Sequence, residues 1–82
     1  MKKDEFKRRL DDAGDAIITY RSQNSRKLKY NVCTRDFSTQ YIKEKRNRAK
    51  ESTGTCLLFC WDTDSYRLLN FKDVIKILPL NK

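Results

Sequence analysis

Histidine is absent from this chain, glycine occurs twice and proline once. Without histidine no imidazole is available as a general base, and Ser38, Thr39 and Cys33 have no evident base to activate them. A structural zinc site wants four Cys or His ligands, and three cysteines do not supply them. No Gly-rich phosphate loop is present, and the carboxylates are scattered or lie beside lysines. The expectation is a non-enzymatic protein with no metal and no other cofactor. Long apolar runs are missing too. No run approaches membrane-spanning length, and the residues after Met1 are charged with no apolar signal-like stretch behind them. The protein is therefore expected in the cytosol of the cell that makes it, with no membrane partner. Cys56 and Cys60 on one extended run would lie about 13 Å apart, too far for a disulfide with each other. Unpaired cysteines fit a reducing compartment, and all three read as small buried or half-buried apolar residues.

What the chain does have is charge. It is 82 residues long, enough for one domain with a modest core, and 37% of it is Asp, Glu, Lys or Arg. The formal net charge is +8, which makes nucleic acid or another polyanion the first partner to consider. The imbalance is local. Residues 26–50 hold nine basic and two acidic residues, a net of +7, whereas the rest of the chain nets +1.

The organising stretch is 55–80. Residues 56–61 are apolar on both alternation faces, with Cys56, Leu58 and Cys60 on one side and Leu57, Phe59 and Trp61 on the other. A strand covered on both faces is central in its sheet. Residues 62–65 carry turn chemistry, and 66–69 read as the return strand. Residues 70–73 suggest one tight helical turn capped by Asn70. Residues 74–78 are a final strand ended by Pro79. Upstream, Phe6, Leu10 and Ala13 recur at helical spacing, so a helix is predicted over Lys3–Ala13 with Gly14 at its end. Residues 16–20 and 27–34 flank a polar turn and read as a hairpin. In its second strand Leu28, Tyr30 and Val32 alternate with Lys29, Asn31 and Cys33, which predicts the Leu28 face in the core and Lys29 facing solvent or a ligand. Residues 35–54 read as either a basic helix, started at Ser38 or Thr39, or a partly ordered loop.

The expected architecture is a single domain, mainly β with helices. An N-terminal helix over 1–14 is followed by a hairpin over 16–34, a basic helix or loop over 35–54, and barrel-closing strands over 55–80. Together they make an α+β fold built on a small, bent β-barrel of about five strands. A two-layer α+β sandwich is the alternative.

The final third resembles the WYL-type domains of bacteria and phages. In these a hydrophobic strand, a polar turn, an Arg, a hydrophobic residue and then an Ile or Val follow one another. Here those positions are 57–61, 62–65, Arg67, Leu69 and Val74. The Trp-Tyr-Leu triplet that names the family is absent, because Asp62 and Thr63 follow Trp61. The resemblance implies an Sm-like, Src-homology-type barrel and a small regulatory or accessory module, often phage-encoded and then working in the host cytoplasm.

The candidate site is the basic cluster Lys43, Lys45, Arg46, Arg48 and Lys50, each able to contact a phosphate. A solvated charged helix is the competing reading. Tyr41 beside it is placed either to stack on an unpaired base or to pin a helix to the core. Arg26, Lys27 and Lys29 would extend the basic surface along the hairpin. Arg67 would join it or pair locally with Asp62 or Asp64. Trp61 is expected to pack in the core with its indole N–H at the barrel mouth. RNA is favoured over DNA as partner, with an acidic face of a host protein as the alternative.

Overall fold

The computed structural model describes residues 2–43 and 50–80. Lys45, Arg46 and Arg48 of the expected cluster lie outside the described residues. A helix α1 (Lys3–Ala13) precedes strands β1 (Asp15–Arg21), β2 (Leu28–Thr34), β3 (Thr55–Cys60) and β4 (Ser65–Asn70). A single 3₁₀ turn (Phe71–Asp73) then leads into β5 (Val74–Pro79). The five strands form one antiparallel sheet in the order β4-β3-β2-β1-β5. The sheet is open, with β4 and β5 at its two edges, so the expected closed barrel is not formed. Phe6 and Leu10 of α1 are fully buried in one cluster with side chains from all five strands, so the helix forms a second layer on the core face of the sheet.

The helix ends where its chemistry says it should. Gly14 has φ 76°, and its N–H donates to the Leu10 carbonyl at 2.9 Å. Lys7 Nζ donates to Glu51 Oε1 at 2.7 Å, and Lys3 Nζ to the Ser52 carbonyl at 2.7 Å. Asp11, near the end of α1 that disfavours a carboxylate, is met by Arg35 Nη1 at 2.8 and 2.9 Å.

The two-faced apolar strand is an inner one, as its pattern predicts. Cys56, Leu58 and Cys60 face α1 and belong to the main core. Phe59 is buried on the opposite face, edge-on to Trp61 (5.0 Å) and Tyr66 (5.1 Å). All three cysteines are buried and free. Asn70 Oδ1 accepts from the Lys72 N–H at 3.1 Å and caps the 3₁₀ turn, again as predicted. Residues 35–43 carry turns rather than a helix start. Asp36 Oδ1 accepts from both the N–H and the hydroxyl of Ser38, and such side-chain bonds compete with helix.

The register of β2 reverses the expectation for its two faces. Ala16, Ile18 and Tyr20 of β1 point into the core, and their partners are Cys33, Asn31 and Lys29. Directly paired residues share a face, so Lys29, Asn31 and Cys33 lie on the core side, with Leu28, Tyr30 and Val32 outside. Leu28 is 48% exposed and Tyr30 63%. Asn31 is buried with its needs met. Tyr20 Oη donates to Asn31 Oδ1 at 2.5 Å, and Asn31 Nδ2 donates to the Asp62 carboxylate at 3.1 and 3.3 Å.

Candidate nucleic-acid interface

The predicted site residues fall into three places. Lys29, on the core side of β2, and Arg67, opposite Leu58 on β4, come together in one polar cleft of about 220 Å³. The cleft lies between the β1–β2 turn and the 3₁₀ turn, and Arg21, Tyr20, Asn70 and Asp73 line it as well. Arg26 and Lys27 are exposed in the turn itself. Arg26 has φ 59°, its carbonyl accepts from Arg21 Nη1 at 2.7 Å, and its guanidinium meets Asp73 at 3.7 Å. That contact ties the hairpin turn to the 3₁₀ turn. Tyr41, Lys43 and Lys50 are exposed at the two described ends of the basic segment.

The cleft has its own electrostatics. Burial pushes the Tyr20 hydroxyl above its usual range, with Arg67 acting against it. The Cys33 and Cys60 sulfurs lie 3.4 Å apart on directly paired residues. Their hydrogen bond raises the Cys33 thiol and lowers Cys60, which the Arg67 guanidinium lowers further. Arg67 is thus committed to the inner face of the sheet. The expected pairing with Asp62 or Asp64 is not among the ion pairs of the described residues, which use Lys3, Lys7, Arg26 and Arg35.

No protein-family model, curated protein or solved structure matches this chain. The reading of its surface therefore rests on its own geometry.

A second surface was not expected from the sequence. Tyr41 is 71% exposed and lines a shallow apolar groove with Trp61, Val32, Leu80 and Asp15. The Trp61 indole N–H donates to Asp15 Oδ1 at 2.8 Å, so this ring is half-buried at the groove rather than packed in the main core. Tyr41 is therefore an exposed ring and not a helix anchor. Tyr30 is the exposed aromatic ring that the alternation pattern, which puts it on the core face with Leu28 and Val32, does not predict. The available signal was its position between Lys29 and the polar Asn31, which suits an exposed aromatic as well as a buried one.

Among the described residues no group of three or more His, Cys, Asp or Glu side chains is placed to hold a metal. Among them, too, no helix is long and apolar enough to cross a membrane.

Proposed function

We propose that this chain is a non-enzymatic, basic nucleic-acid-binding accessory protein working in the cytoplasm, with RNA favoured over DNA. One observation carries the reading: most of the described cations of the segment that holds the charge imbalance are at the surface. Arg26, Lys27, Lys29, Lys43 and Lys50 are all exposed, and within 26–50 only Arg26 and Arg35 enter ion pairs among the described residues. Exposed cations concentrated in one segment attract a polyanion and release its counterions. The sequence resemblance of residues 57–74 to WYL-type domains is the ground for reading this open sheet as an Sm-like module. Sm-like barrels commonly serve RNA, and that is the reason for favouring it.

The test is a shift assay on single-stranded RNA, single-stranded DNA and duplex DNA across salt. Affinity should fall with a log–log slope near −0.7 for each phosphate contacted on a single strand. Changing Lys45, Arg46 and Arg48 together to Gln should flatten that slope by roughly two units while leaving the fold intact. Absence of saturable binding to any nucleic acid at low salt would reject the reading. It would turn attention to an acidic protein partner, which the same triple change should then release.

A further inference from the structure

The two halves of the outer sheet face differ. Over β3 and β4 the face is covered. Phe59 is buried there, and Phe37 from residues 35–43 packs its ring 5.6 Å from Tyr66. Over β1, β2 and β5 no helix or strand of the described residues covers it. The register sets Tyr30, Thr19 and Lys76 in one row across the three strands, and Val32, Ile17 and Leu78 in the next. Leu78 is 47% exposed and Ile17 is half-buried. One end of this face runs into the Tyr41–Trp61 groove through Val32. Arg21, opposite Leu28, stands at the other end.

An uncovered apolar face of this kind needs an occupant, and charge selects one. Asp15 is the one acidic residue in these three strands, and the Trp61 indole already holds its carboxylate. Lys76 supplies positive charge on the face itself, and Lys43 follows two residues after Tyr41. A second copy of a chain carrying +8 would bring like charges together here. A single-stranded nucleic acid satisfies both features at once. Its bases offer flat apolar surfaces to exposed rings, and its phosphates meet the cations around them.

We propose that the outer face of β1, β2 and β5 is a stacking platform for the unpaired bases of a single-stranded nucleic acid. Tyr30 and Tyr41 are its rings, the Trp61 edge of the groove is its boundary, and Lys76 and Lys43 receive phosphates. This rests on the nucleic-acid reading above, and assigns it a face that the basic cluster alone does not define. Duplex is a poor ligand for such a platform, because its bases are already stacked on one another.

Trp61, the only tryptophan, sits at the groove and reports its occupancy. The full chain is titrated at low salt with a short oligouridylate and, separately, with a duplex DNA of similar length, following tryptophan emission. The oligouridylate should change the emission saturably and bind more tightly than the duplex. Tyr30→Ala and Tyr41→Ala should each weaken binding about 5- to 150-fold, the range for losing one base–aromatic stack. Neither should alter the salt slope, since no phosphate contact is removed. Tyr30→Phe and Tyr41→Phe keep the ring and should bind like the parent. Lys76→Gln should flatten the slope by about 0.7. Salt-dependent binding that both alanine variants retain in full would overturn the platform and leave the nucleic-acid reading standing. No binding by the parent to either probe would overturn both. A concentration-dependent dimer that Tyr30→Ala abolishes would give the face to a second copy, and the platform would fall.

Discussion

Leu58 and Gly14 show how differently single residues carry this fold. Leu58 is fully buried on the inner strand β3 beneath α1. Replacing it with Ala removes apolar contact and leaves a cavity that the surrounding strands can only partly refill. Leu58→Ala should cost about 2–5 kcal/mol, measured as a shift in urea unfolding. A loss below about half a kcal/mol, the level of an ordinary surface change, would mean the strand is not central. Gly14 carries no contact of this kind, since a Cβ built there meets nothing within 4 Å. Its value is its φ of 76°, a conformation that side-chain-bearing residues reach only with strain. Gly14→Ala should cost about 1–3 kcal/mol through the backbone alone, read from the same urea curves. Asn31 belongs at this scale too. Its amide bonds Tyr20 on one side and Asp62 on the other, and so allows a polar residue to occupy a core-facing position.

At the scale of elements, the contacts that dock α1 on the sheet include a titrating group. Glu51 receives Lys7 Nζ at 2.7 Å and the Leu57 N–H at 2.6 Å. Burial pulls its carboxyl upward, but the Lys7 ammonium and the Leu57 N–H outweigh that and hold it below the usual carboxylate range. A carboxyl whose pKa is lower in the folded state stabilises the fold above its unfolded pKa. That stabilisation is lost as the pH falls through the folded value. The urea midpoint should therefore drop on acidification below about pH 4.5, and Glu51→Gln should make that part of the profile shallower. An identical acid profile in the variant would show that the tether contributes nothing. The elements themselves were legible because their ends are chemical. Gly14 stops α1, Asn70 caps the 3₁₀ turn, and Asp62 to Ser65 make the β3–β4 turn. Residues 35–43 were harder to read. Asp36, Ser38 and Thr39 serve helix caps and local turns equally well, and nothing in their order selects between them.

For the whole molecule, α1 is the second layer of a two-layer fold. The core face of this sheet is buried by α1, so the helix and the core form together. Deleting residues 1–13 should lower the melting temperature markedly, and an unchanged melt would show a helix free to bind a partner. The sequence alone determined the class of each main element, the two-faced central strand, the apolar stripe of α1 and the position of the excess charge. Each is a local property of spacing or composition. Only the tertiary structure decided which face of β2 points inward, whether the sheet closes, and that Lys29 meets Arg67 in one cleft while Tyr30 stands outside. Strand alternation defines two faces but does not say which is buried. That choice is made by the register with β1, where Ile18 stands opposite Asn31 and Tyr20 opposite Lys29, and a shift of one residue would reverse it. Closure likewise needs a hydrogen-bonded ladder between the two edge strands, which spacing and composition do not encode, and here β4 and β5 remain separate edges.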